Sequence, residues 1–103
     1  MKREMGIPKE TIKILAEITG EPRVDVAIRM VLRDVVEHRL RNVEEHIKKF
    51  EQKYEMDFAT FEKTWKAGDI EEKFSYKTEK DYLEWDALIT RRKKLQQVAK
   101  WLS

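Results

Sequence analysis

Apolar residues recur along most of this chain at spacings of three and four, the period of a helix that buries one side. Ile12, Leu15, Ala16 and Ile18 form such a face after Pro8, which suits a first helical turn, and Gly20 with Glu21-Pro22 ends it. A first helix over roughly 8–19 and a short connection are expected. From Val24 onward neither glycine nor proline occurs before Gly68, and Val36, Leu40, Val43, Ile47, Phe50 and Tyr54 make a heptad stripe. The spacing predicts a second helix over about 24–55, roughly 48 Å long at about 1.5 Å per residue.

The first half of that helix is apolar almost all round: Val24, Val26, Ala27, Ile28, Met30, Val31, Leu32, Val35 and Val36. Only Asp25, Arg29, Arg33 and Glu37 form a solvated stripe, four residues apart. A compact chain of this length has a radius of gyration of roughly 13 Å, so the helix outruns such a globule. Homodimerisation would cover the excess apolar surface; the alternative is a later helix folding back over it within one chain.

Asp57 suits the N-cap of a third helix carrying Phe58, Phe61 and Trp65 on one face, closed by Gly68. Thr78 offers a further cap, with Asp81 three residues later in a capping-box position. A fourth helix over about 79–101 then presents Leu88, Leu95, Val98 and Leu102, with Tyr82, Trp85 and Ile89 beside them. The pattern as a whole predicts an all-α protein of about four helices, one long and central, in a homodimeric bundle. Residues 1–103 read as one helical domain, with a dimerisation or DNA-binding part over 1–40 and a partner-binding part over 41–103.

Composition supports helices and narrows the chemistry. Charged residues make up 41% of the 103 residues, yet the formal net charge is only +2, so no global field points to nucleic acid or membrane. There is no cysteine, which removes disulfides, thiolate metal sites and thiol nucleophiles and fits a reducing cytoplasm. No signal peptide or apolar span is evident. His38 and His46 lie eight apart on one helix, not four, and neither has a glutamate three residues before it, so they do not form a metal pair. Gly6, Gly20 and Gly68 build no phosphate loop. No enzyme, cofactor or metal is expected.

All the aromatic residues except Trp101 lie between Phe50 and Trp85, interleaved with carboxylates. Such a stretch suits contact with a partner protein, although Phe58, Phe61 and Trp65, or Tyr82 and Trp85, would equally serve as core. Arg91-Arg92-Lys93-Lys94 is a basic run, but consecutive helical positions spread around the axis, and a solvated helix explains it.

Two resemblances bear on function. Leu15 to Gly20 followed by Val26 is similar to a helix-turn-helix, but Pro22 falls inside the turn and Arg29 at a position that should be buried. The same region resembles a ribbon-helix-helix domain, with a short strand at Lys2 to Ile7, a helix from Pro8, and Val26, Met30, Val31 and Val35 buried in a dimer. That resemblance places Lys2, Glu4 and Gly6 toward the major groove, where glutamate and glycine are poor readers. Lys2, Arg3, Arg23, Arg29 and Arg33 are the candidate DNA contacts of this alternative, a small dimeric transcriptional regulator.

Roughly from Glu51 to Leu95 the chain resembles small prokaryotic type II antitoxins. The resemblance rests on Phe50-Glu51, Lys53-Tyr54, Met56, Phe58, Phe61, Trp65, Gly68 and the run Asp81-Tyr82-Leu83-Glu84-Trp85. Glu55 departs from it, standing where glycine is expected in a Tyr-Gly-Met turn. It implies a cytoplasmic protein that binds and neutralises a cognate toxin, commonly a ribonuclease. The partner-binding residues would be Phe58, Phe61, Trp65, Asp81, Tyr82, Glu84 and Trp85, with carboxylates standing in for a phosphate ligand.

Overall fold

The computed structural model describes residues 6–68 and 76–103, which form four helices. α1 spans Lys9–Thr19, α2 Val24–Tyr54, α3 Phe58–Lys66 and α4 Tyr76–Leu102. Among the described residues there is no strand. The strand expected over Lys2 to Ile7 lies outside the described residues, apart from Gly6 and Ile7, which are not in regular structure.

Local chemistry sets most helix ends. Pro8 precedes α1 and its carbonyl accepts from the Ile12 N–H at 3.1 Å. Gly20 closes α1 at φ 72°, donating to the Ala16 carbonyl at 2.8 Å. α2 stops at Glu55, which takes the left-handed conformation (φ 55°, ψ 38°) that the missing glycine would have occupied. The Met56 N–H then reaches back to the Glu51 carbonyl at 3.3 Å, the wrapped ending of a Schellman turn. The break between α2 and α3 is therefore sharp despite Glu55. One Asp57 carboxylate oxygen caps α3 by accepting from the Thr60 N–H at 2.9 Å, and the Thr60 hydroxyl together with that N–H holds its pKa below the usual carboxylate range.

α4 departs from expectation at its start. Thr78 lies inside the helix, buried, rather than capping it, and the Asp81 carboxylate turns to Lys53 and Tyr54 of α2.

α4 runs back antiparallel to α2, so the heptad stripe is covered within one chain. Val43, Ile47, Phe58, Phe61, Trp85 and Leu95 form the core, with Leu40, Phe50, Tyr54, Met56, Leu88 and Ile89 packed around them. Val98, expected inward, is exposed. α1 packs on the first half of α2 and buries no residue fully. The result is a rod, 57 × 34 × 23 Å with a radius of gyration of 20.1 Å. A compact chain of this length would have about 13 Å.

The stripe expected to be solvated is where the two ends of the hairpin meet. Arg33 Nε donates to the Leu102 carbonyl at 3.1 Å, Arg29 Nη1 does so at 3.4 Å, and the Arg29 guanidinium lies over the Trp101 ring. Both arginines thus satisfy a terminal carbonyl of α4, where positive charge also favours the helix dipole.

Candidate partner-binding surface

Phe58, Phe61 and Trp65 share one face of α3 because they are three and four residues apart, and that face meets α4. Trp85 sits at the centre. Its ring packs against Phe61 at 5.0 Å, Phe50 and Phe58 at 5.4 Å and Tyr54 at 5.9 Å between centroids. Phe61 and Trp85 have no exposed surface, and Phe58 is buried. In this structure these three are core anchors, because the aromatic faces of α2, α3 and α4 pack against one another. Among the described residues the Trp85 indole N–H has no hydrogen-bond partner, so aromatic packing outweighs the cost of burying that donor.

Asp81 is likewise taken up inside the chain. Lys53 Nζ and Tyr54 Oη both donate to its Oδ2, the tyrosine at 2.6 Å. Burial pushes the Asp81 carboxyl up, but the bonds from Lys53 and Tyr54 and the charges of Lys53 and Lys77 outweigh it. The group is held below the ordinary carboxylate range. In this structure the carboxylate expected to face a partner links α2 to α4.

Trp65 and Tyr82 remain at the surface, half-buried and paired with ring centroids 4.9 Å apart. Together with Glu79 and Leu83 they line a cleft of about 270 Å³. Leu83 is 66% exposed, and Tyr76, seven residues earlier on the same side of α4, is 80% exposed. Tyr82 Oη donates to Glu62 Oε2 at 2.9 Å. Burial, then the bond and charge of Glu62 and the charge of Asp86, raise the phenol's pKa and keep it a donor. Glu62 also lines a groove of about 450 Å³ with Glu51, Asp57 and Asp86, together with Arg92 and Lys93, so carboxylates outnumber cations along it. An aromatic and aliphatic patch therefore continues into an acidic groove.

Glu84 is not part of that patch. It pairs with Lys80 at 3.8 Å and lines a different groove, of about 600 Å³, with His46, Lys49, Phe50, Leu88 and Arg91. Leu83, Glu62 and Glu79 were missed by the sequence reading. For Leu83 a signal existed: the core positions Trp85, Leu88, Leu95 and Leu102 leave it on another side of α4.

The candidate DNA contacts are dispersed or engaged. Lys2 and Arg3 lie outside the described residues. Arg23 pairs with Glu21 at 2.6 Å, whose bond and charge raise its pKa, and Arg29 and Arg33 hold the end of α4. Among the described residues no group of three or more His, Cys, Asp or Glu is placed to hold a metal ion. No helix there is long and apolar enough to cross a membrane.

No curated protein and no solved structure matches the chain. Residues 6–102 match one family model, and on that near-complete match the chain belongs to the family described as the Uncharacterized protein MJ0235 family.

Proposed function

We propose that this chain is an antitoxin-like interaction protein, a cytoplasmic homodimer that binds and neutralises a cognate toxin, a ribonuclease. The binding surface is the end of the rod where α3 meets the start of α4. The observation that carries this reading is the exposed Leu83 beside the Trp65–Tyr82 pair, flanked by Glu62 and Glu79. Rigid aromatic side chains with one polar tip supply contact area at low entropic cost, and a neighbouring aliphatic group fills a pocket on the partner. The acidic groove running on through Glu51, Asp57 and Asp86 suits the basic side chains with which a ribonuclease holds a phosphodiester. Resemblance to type II antitoxins supports the partner class, and the apolar surface left on the first half of α2 supports the dimer.

Co-expression with the product of the adjacent open reading frame tests the reading. The neighbour alone is expected to arrest growth, and this chain to relieve the arrest and co-purify with it. A neighbour that neither arrests growth nor co-purifies would overturn the proposal.

A further inference from the structure

The outward face of the first half of α2 carries a second apolar seam that the rest of the chain leaves uncovered. Asp25, Ile28, Leu32, Val35 and Arg39 follow at spacings of three, four, three and four, so they run along one side of the helix. Of the residues buried in this half, Ala27 lies on another face, while Val36, four residues after Leu32, borders the seam on the side that α4 covers. The end of α4 flanks the first half of the seam, where Trp101 and Leu102 line a cleft of about 140 Å³ with Asp25, Ile28 and Leu32. Leu32 and Val35 are each 44% exposed, Val98 41% and Trp101 72%. Together these four present on the order of 400 Å², the size of the largest apolar patch on a typical monomer, which often serves an interaction.

We propose that a second copy of the chain covers this seam, with the two α2 helices antiparallel across a two-fold axis at Leu32. The inference rests on the homodimer proposed above and specifies its surface. Leu32 is the midpoint: Asp25 lies seven residues before it and Arg39 seven after, and they carry opposite charge. Neither forms an ion pair among the described residues. An antiparallel pairing sets Leu32 against its counterpart, Ile28 against Val35, and Asp25 of each copy against Arg39 of the other. A parallel pairing would oppose aspartate to aspartate and arginine to arginine, so charge selects the antiparallel arrangement. Because the same patch serves both copies, the contact closes at two chains. Val98 and Trp101, beside the seam, extend the covered surface onto α4.

Light scattering on the full chain reads whether the dimer exists, and charge exchange reads its geometry. Asp25→Arg or Arg39→Asp alone is expected to raise the dimer dissociation constant roughly tenfold or more, a change of about 1.4 kcal/mol. The double exchange is expected to restore it. The chain has no cysteine, so Leu32→Cys supplies a single thiol at the axis. Mild oxidation is expected to join two such chains, while Ala59→Cys on α3 leaves them separate. A monomer throughout would overturn both the dimer and its seam. A dimer that Leu32→Cys does not cross-link, or that the double exchange does not restore, would overturn the seam alone.

Discussion

Tyr54 Oη donates to Asp81 Oδ2 at 2.6 Å, and Lys53, the preceding residue, donates to the same oxygen. One carboxylate thereby joins the last turn of α2 to the beginning of α4, beside the aromatic core. Asp81→Ala leaves the phenol and the ammonium without their acceptor. The expected loss is about 1–2 kcal/mol, less than a fully buried charged bond would give because Lys53 is well exposed to solvent.

The same group sets an acid dependence. The Asp81 pKa is lower folded than unfolded, so its stabilisation is fully present above the unfolded value and is lost as pH falls through the folded one. Thermal unfolding followed from about pH 5 to pH 2 is expected to show a steeper decline in the wild type than in Asp81→Asn. Parallel curves would remove Asp81 as the cause.

Trp85→Ala empties the centre of the core and is expected to cost about 3–5 kcal/mol. Trp85→Phe is expected to cost much less, since the ring contacts persist and the unpartnered indole N–H is removed. Chemical denaturation of the two variants checks the order. A Trp85→Ala chain as stable as the wild type would mean that this ring is not the centre of the packing.

Glu55 holds a positive φ that glycine adopts without steric cost. Glu55→Gly is expected to stabilise the chain by up to about 1 kcal/mol in a denaturant titration, the relief at the turn exceeding the extra freedom of the unfolded chain. Destabilisation would show that the Glu55 side chain contributes more than its backbone costs.

Helix ends governed by neighbouring residues were legible in the sequence: Gly20, Asp57 and Gly68 act where their types require. The heptad stripe of α2 was also legible, but its cover was not, because a returning helix and a second chain satisfy the same spacing. The start of α4 was misplaced because Thr78 has the chemistry of a cap, whereas helix continues back at least to Tyr76. Of the aromatic and acidic residues singled out, Trp65 and Tyr82 stand half-buried at the surface, while Trp85 and Asp81 are buried. Their partners Phe50, Lys53 and Tyr54 lie some thirty residues away, and no local pattern announces that pairing.

Arg33→Ala removes a donor from the Leu102 carbonyl. Faster amide exchange in the last turn of α4 is expected, with a global loss of about 0.5–1.5 kcal/mol. Unchanged exchange there would mean that the guanidinium does not hold the helix end.

The proposed interaction is tested most directly by calorimetric titration of the neighbouring open reading frame's product into wild-type chain and Leu83→Glu. Leu83 is exposed and outside the core, so the fold is expected to survive, as circular dichroism would confirm. Burying a carboxylate where an aliphatic anchor sat is expected to weaken binding by about tenfold to a hundredfold or more. Equal affinity for the two chains would contradict the assignment of the Trp65–Tyr82–Leu83 surface.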